Sequence, residues 1–140
     1  MGGSPDGLLY DTLTGEWSIL EIKTRDASLP FRDYIPITHI CQMIGLAQAF
    51  QLTTCYYVCW TPDVGIYMAR MTFDPAVWTD VIKPRLTEFC DYFDRKEVPP
   101  PMKRGEKDQV IAEIESRVYI EPVSTHDGEV HDSAEGSEPE

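Results

Sequence analysis

The chain has 140 residues, of which 42% are hydrophobic, and its formal net charge at pH 7 is −12. This length suits one domain with one modest core, and no apolar run approaches the about 20 residues that a membrane-spanning helix needs. The charge is uneven, because the stretch from Glu106 to Glu140 holds eleven acidic residues against two basic ones. The composition argues against binding through a broad basic patch, but it leaves room for a locally positive groove and for a carboxylate site.

The N-terminus and the lack of a long apolar run lead us to expect a soluble intracellular protein, located in the cytoplasm or, if viral, in the nucleus of a host cell. The Gly-rich start lacks the apolar segment of a signal peptide, so we do not expect secretion. None of the four cysteines has the C-x-x-C spacing of a zinc or redox site. We interpret them as small apolar core residues; they are Cys41, Cys55, Cys59 and Cys90.

The first half of the chain predicts a β-hairpin, a loop and a helix. The apolar runs Gly7 to Asp11 and Trp17 to Thr24 flank a turn that contains Gly and Thr, which is typical of a hairpin. The segment from Arg25 to Pro36 holds two prolines and four charged residues, which indicates a surface loop. Thr38 to Gln51 carries apolar residues at three- and four-residue spacing, which predicts a helix.

The second half predicts another strand pair and a long helix. Thr53 to Trp60 is strongly β-prone, and a turn with Pro and Gly leads from it to a partner strand, Ile66 to Phe73. Asp74-Pro75 is typical of a helix start, and we expect that helix to run to about Lys96 with a kink at Pro84. Its predicted buried face consists of Val77, Val81, Ile82, Leu86, Phe89 and Phe93.

Composition divides the chain into three parts. Residues 1–98 form the predicted core domain, and residues 99–120 form a Pro-rich linker with one short helix. Residues 121–140 are acidic and nearly free of apolar side chains, so we expect them to be disordered. The order β-β-α-β-β-α predicts an α/β or α+β fold with a mixed central sheet flanked by helices.

Two carboxylates and a lysine are predicted to converge in the hairpin. Glu21 and Lys23 share one face of their strand because alternate residues point to the same side, and Ile22 then points the other way, into the core. Asp6 is separated from Glu21 by a hairpin-sized segment, so the two carboxylates can meet. Such a cluster can hold a divalent cation and a water. Taken singly, Asp6 is typical of a turn, and Glu21 with Lys23 of a solvated ion pair.

Three motifs then follow one another in the chain. They are S-P-D-G-L at Ser4 to Leu8, L-E-I-K at Leu20 to Lys23, and a helix from His39 to Leu46 that carries Gln42. In this order they resemble the lambda-exonuclease-like (YqaJ-type viral recombinase) branch of the PD-(D/E)xK nucleases. The resemblance covers roughly Gly2 to Phe93. E-x-K alone occurs often by chance, whereas the combination is fairly specific.

The resemblance implies a restriction-endonuclease-like core and hydrolysis of DNA phosphodiester bonds with Mg²⁺ or Mn²⁺. The implied activity is a 5′-to-3′ exonuclease in viral or phage-type recombination. In the family's motifs Asp6 matches the bridging metal ligand, Glu21 the second ligand, and the carbonyl of Ile22 the backbone ligand. Lys23 matches the catalytic lysine, and Gln42 the glutamine of the following helix.

The same resemblance implies DNA as the partner, as a duplex end and as a single-stranded product. The candidate DNA contacts are Ser4, Arg25, Arg32 and His39, the two arginines because they lie in the loop after Lys23. A single-strand annealing protein and a homo-oligomer are further expected partners, since ring-shaped trimers occur in the family; no membrane is expected. We interpret Tyr56, Tyr57 and Trp60 as sheet core rather than as platforms for stacking bases.

The sequence departs from the family ahead of Ser4. Family members carry an upstream helical segment with an acidic metal ligand and with basic residues that hold the DNA end. Here we expect a fragment, or a partner that supplies this part, or weak catalysis. The alternative function is a catalytically incomplete nuclease fold that serves as a binding or assembly module. A third hypothesis is a structural protein whose acidic tail recruits a basic partner.

Overall fold

The computed structural model describes residues 3–127, and side chains as far as residue 123. These residues form one five-stranded mixed sheet and three α-helices. In chain order the elements are β1 (Gly7–Tyr10), β2 (Trp17–Thr24), α1 (Ile37–Ala49), β3 (Thr54–Thr61), β4 (Gly65–Phe73), α2 (Lys83–Asp94), α3 (Arg104–Glu115) and β5 (Val118–Asp127). The predicted mixed sheet of an α+β fold is confirmed, whereas the predicted order β-β-α-β-β-α lacks α3 and β5. No helix within the described residues is long and apolar enough to cross a membrane.

The strands lie side by side in sequence order. Only β2 and β3 are parallel, and α1 connects them, as a parallel pair requires a crossover. The other three pairings are antiparallel. In the parallel pair Glu21 lies next to Tyr57 and Lys23 next to Cys59. α1 packs on both strands of this pair.

One face of the sheet, here called the covered face, packs against α1 and contains the core. Alternate residues of β2, β3 and β4 are buried there, because successive side chains of a strand point to opposite faces. From the sheet these are Ile19, Cys55, Tyr57, Cys59, Tyr67, Ala69, Met71 and Phe73, and from α1 Ile40, Met43, Ile44, Leu46 and Ala47. Cys55 and Cys59 are thus core residues as predicted, but Cys90 is exposed on α2.

The opposite face of the sheet, here called the open face, leaves apolar side chains accessible. Ile22 and Trp60 are each 47% exposed, so the expectation that Ile22 points into the core is wrong. Strand alternation correctly predicts that Glu21 and Ile22 lie on opposite faces of the sheet. It does not predict which face is buried, and α1 covers the face with Glu21. The open face also contains Leu20, Tyr56, Val58, Ile66 and Met68.

The long helix after β4 differs from its prediction. Trp78–Ile82 forms a π-helical turn, in which the amide of Lys83 bonds the carbonyl of Trp78, and α2 follows. The wider turn precedes Pro84, a residue that has no amide hydrogen to donate within a helix. Only the first part of the predicted buried face is buried: Val77 and Val81 are in the core, while Phe89 is exposed and Phe93 is 73% exposed.

The C-terminal region, predicted as a linker and a tail, adds a helix and a strand to the folded domain. α3 places Ile114 in the core, and β5 pairs with β4 from Val118 onward. The start of a disordered tail at Glu121 is therefore wrong for residues 121–127. Acidic composition favoured disorder, but pairing with β4 satisfies the backbone hydrogen bonds of this segment. Residues 128–140 of the predicted tail lie outside the described residues.

Candidate functional site

Glu21 is a buried carboxylate on the covered face, with only 3% of its surface exposed. Burying a charge is costly unless partners compensate it. Its Oε1 accepts hydrogen bonds from Lys23 Nζ at 2.5 Å and from Gln42 Nε2 at 2.7 Å. Strand alternation brings Lys23 to the same face, and the packing of α1 brings Gln42 down onto it. The burial of Glu21 therefore depends on both neighbours.

Lys23 and Gln42 also contact each other, so the three side chains form a closed triangle. Lys23 Nζ donates to Gln42 Oε1 at 3.1 Å, while the amide nitrogen of Gln42 donates to Glu21. Both ends of the Gln42 amide are thus engaged, and this network assigns its orientation. The Lys23 side chain is 25% exposed, so the triangle reaches solvent through its ammonium group.

Asp6 lies just ahead of β1 and is tied to β2 by one hydrogen bond. Its Oδ2 accepts from the backbone amide of Ile22 at 2.7 Å. Gly7 pairs with Leu20, so β1 begins two residues short of Ile22 and the Asp6 side chain takes that amide instead of a strand partner. This bond fixes Asp6 beside the strand that carries Glu21 and Lys23.

His39 stands one helical turn before Gln42 on α1. Its Nδ1 lies 2.8 Å from the hydroxyl of Tyr57, a fully buried residue. Burial, followed by the positive charges of Lys23 and Arg32, lowers the pKa of His39, whereas Glu21 acts in the opposite direction. His39 is therefore a neutral, half-buried ring at the edge of the triangle near pH 7.

The other candidate DNA contacts differ in the contacts that their side chains already make within the chain. Arg25 Nη1 donates to the carbonyl of Pro30 at 2.7 Å, so its guanidinium is engaged within its own loop. The guanidinium of Arg32 lies 5.5 Å from the centre of the Tyr34 ring. Ser4 is exposed and lies at the mouth of a groove that Gln42 also lines.

That groove is a feature that sequence reasoning missed. It has a volume of about 600 Å³ and runs between α1 and the π-helical turn. The ring of Trp78 packs beside Gly45 of α1, where a Cβ would lie 3.8 Å from Trp78 Cζ3, an ordinary contact distance. The π-helical turn that presents Trp78 has no clear sequence signal beyond the nearby Pro84.

The donor atoms at the end of β2 suit a hard divalent cation. Asp6 and Glu21 would supply carboxylate oxygens, and the Ile22 carbonyl would supply a third oxygen. Mg²⁺ binds through one or two carboxylates and keeps several waters. The described residues contain no cluster of three or more His, Cys, Asp or Glu side chains placed to hold an ion. A cation here would be held by these three groups and by water.

The role of Tyr57 in the site was also not predicted from the sequence. It was predicted as sheet core, and it is buried, but its hydroxyl also reaches His39. The signal that could have found it is the parallel register of β2 and β3, which sets Tyr57 beside Glu21. That register depends on contacts between distant residues.

Comparisons of the chain with protein-family models, with curated proteins and with solved structures find no match. Function is therefore inferred from the side chains at the end of β2 and from the three motifs that contain them.

Proposed function

We propose that the chain is a metal-dependent nuclease domain that hydrolyses DNA phosphodiester bonds with Mg²⁺ or Mn²⁺. The observation that carries the proposal is the hydrogen-bonded triangle of Glu21, Lys23 and Gln42, beside an Asp6 that is anchored to the same strand. The chain's resemblance to PD-(D/E)xK nucleases supports the further proposal of a restriction-endonuclease-like core.

Hydrolysis of a phosphodiester requires an activated water and neutralisation of the charge that develops on phosphate. A divalent cation, when bound, polarises the phosphate and lowers the pKa of water. Asp6, Glu21 and the Ile22 carbonyl would hold it. Both hydrogen bonds to Glu21 converge on Oε1, which leaves Oε2 as its oxygen for a cation.

Lys23 supplies the positive charge of the proposed site. Its ammonium orients the attacking water or stabilises the negative phosphate in the transition state. Gln42 holds that ammonium and the Glu21 carboxylate at a set distance through its two hydrogen bonds. This arrangement is pre-organised before the substrate binds, because all three side chains are already paired.

The motif resemblance supports a finer version of the proposal. In that version the domain is a 5′-to-3′ exonuclease that acts on duplex ends in viral or phage-type recombination. The remaining single strand would pass to an annealing protein, and several copies of the domain would assemble around DNA.

The direct test incubates the purified chain with linear duplex DNA labelled at either 5′ or 3′ end. Mg²⁺, Mn²⁺ and EDTA are compared, and the released products are resolved on gels. We expect hydrolysis that requires the cation and that falls at least about 100-fold in Asp6→Asn and Lys23→Met. Wild-type chain that is inert with both cations would overturn the proposal.

Matched control variants make the same chemical changes away from the site. Asp63→Asn alters an exposed carboxylate in the turn between β3 and β4, where a positive φ of 59° suits asparagine. Lys83→Met alters an exposed lysine at the start of α2. Both should retain wild-type hydrolysis. Equal losses in control and site variants would point to damaged folding rather than to chemistry.

The open face of the sheet favours a second candidate, a nuclease fold that assembles with a second copy of the chain without catalysis. Exposed Ile22 and Trp60, with their apolar neighbours on β3 and β4, form a surface that a second copy could cover. Sedimentation of wild type against Trp60→Ser tests this candidate. The candidate predicts that the wild type sediments as an oligomer and that Trp60→Ser sediments as a monomer. It also predicts that the wild type shows no saturable binding of Mn²⁺.

A further inference from the structure

A second pair of side chains joins the sheet to α1 beside the triangle. Tyr57 is the register neighbour of Glu21 on the adjacent strand, and His39 precedes Gln42 by one turn of α1. The contact of His39 with Tyr57 therefore runs alongside the contact of Gln42 with Glu21. Both pairs connect a buried residue of the covered face with a residue that is nearer to solvent.

The partners of the Tyr57 hydroxyl decide where its single proton points. Burial raises the pKa of Tyr57, so the phenol keeps its proton. Cys59 raises this pKa further, and the positive charge of Arg32 acts in the opposite direction. The thiol of Cys59 is a weak acceptor. Among the described side chains His39 is the one hydrogen-bond partner of this hydroxyl, through Nδ1 at 2.8 Å, and an imidazole nitrogen accepts more strongly than a thiol. The Tyr57 proton is therefore assigned to the hydrogen bond with Nδ1.

The proton on the His39 ring then lies on the other nitrogen. A neutral imidazole carries one N–H, and with Nδ1 accepting from Tyr57 that N–H is at Nε2. Tyr57 is fully buried whereas His39 is half-buried, so the ring edge away from Tyr57 faces outward. The site thus presents a neutral N–H donor near the ammonium of Lys23.

We infer that Tyr57 is a positioning residue that holds His39 in its Nε2–H tautomer, so that His39 donates a hydrogen bond to a phosphate oxygen of DNA at the candidate site. The identity of the acceptor rests on the proposed nuclease function, whereas the tautomer does not. A fixed neutral donor suits a phosphodiester oxygen, which accepts hydrogen bonds and cannot donate them.

The tautomer is tested by long-range proton–nitrogen NMR of the histidine side chains near pH 7.5. The signals of His39 are identified by their loss in His39→Gln. We expect a protonated Nε2 and an unprotonated Nδ1 in the wild type, and a mixture of both tautomers in Tyr57→Phe. A wild-type Nδ1–H tautomer, or an unchanged pattern in Tyr57→Phe, would overturn the inference.

Tyr67→Phe is the matched control. Tyr67 lies on β4 with its ring centre 6.4 Å from that of Tyr57, and it is also buried. The substitution removes a hydroxyl from the same core without touching the contact to His39. It should leave the His39 tautomer unchanged, and a shift as large as that of Tyr57→Phe would show a general core effect and overturn the inference.

The phosphate contact is tested separately with a short DNA duplex in Ca²⁺, followed by NMR of the His39 ring. We expect the Nε2 signal to shift on titration and Tyr57→Phe to reduce turnover about 10-fold with little change in KM. DNA that binds without moving Nε2 would overturn the contact. Absence of both DNA binding and hydrolysis would overturn the nuclease proposal and the contact together, while the tautomer result still decides the role of Tyr57.

Discussion

Glu21 and Tyr57 are register partners on the parallel strands β2 and β3, and both are buried beneath α1. Each makes a hydrogen bond to a residue of that helix, Gln42 in one case and His39 in the other. A parallel pair requires a crossover, and here the crossover helix itself closes the site. The polar groups of Glu21 and Tyr57 are thus paired with the same helix that completes the core.

The Glu21–Lys23 pair allows a stability prediction that is independent of activity. Lys23→Met leaves the buried Glu21 carboxylate without its cation, so we expect a loss of about 2 kcal/mol in the free energy of unfolding. The double variant Glu21→Gln with Lys23→Met should recover most of this loss, because a neutral amide can still pair with Gln42. Urea unfolding of the two single variants and the double variant measures the coupling. Additive losses would contradict a direct pair.

Much of the fold follows from local patterns. Alternating and β-prone runs predict β1 to β4, and the apolar spacing from Thr38 onward predicts α1. Strand alternation also explains why Glu21 and Lys23 share a face. The resemblance to a nuclease family named Gln42 as a candidate site residue, but its contact with Glu21 and Lys23 was not predicted, since no local rule brings a helix residue onto a given strand.

The parts that escaped prediction depend on contacts between distant residues. Hydrophobicity favoured burial of Ile22, but α1 packs on the side of Glu21, whose charge is balanced by two neighbours. Composition likewise favoured disorder from Glu121 onward, whereas residues 121–127 add to the sheet as part of β5. Neither outcome follows from the residues within one turn or strand.

Ile114 tests whether α3 belongs to the folded domain. It is buried and joins the hydrophobic core from the region predicted as a linker. Ile114→Ala should reduce the free energy of unfolding by about 3 kcal/mol, through lost burial and the cavity that remains. Glu115→Ala, at the exposed next position of the same helix, should change it by less than about 0.5 kcal/mol. Equal small effects of the two substitutions in urea unfolding would show that α3 does not belong to the folded domain.

Gly45 offers a stabilising substitution beside the groove. A Cβ at this position would lie 3.8 Å from Trp78, an ordinary contact, and Gly in a helix interior costs up to about 1 kcal/mol relative to Ala. Gly45→Ala should therefore raise the melting temperature. Gly15→Ala is the opposite control, because Gly15 has a φ of 73° that alanine adopts with strain. A destabilising Gly45→Ala would mean that Trp78 cannot accept the added methyl group.

His39 predicts a loss of stability in mild acid. Its pKa in the folded chain is lowered from 6.5, first by burial and then by the charges of Lys23 and Arg32. The unfolded chain therefore binds a proton more readily than the folded chain as the pH falls below about 6.5. The contribution of the neutral ring is fully present above that pH and is lost as the pH falls through the folded pKa.

The measurement compares thermal unfolding of wild type and His39→Gln at several pH values between 8 and 5. Below about pH 6.5 the wild type should lose stability faster than the variant, since glutamine does not titrate. Carboxylate contributions are shared by the two proteins, so they cancel in the difference between the curves. Parallel curves would mean that His39 titrates alike in the folded and unfolded chain. Curves that diverge in the opposite sense would require a folded pKa above 6.5, contrary to a ring desolvated beside Lys23 and Arg32.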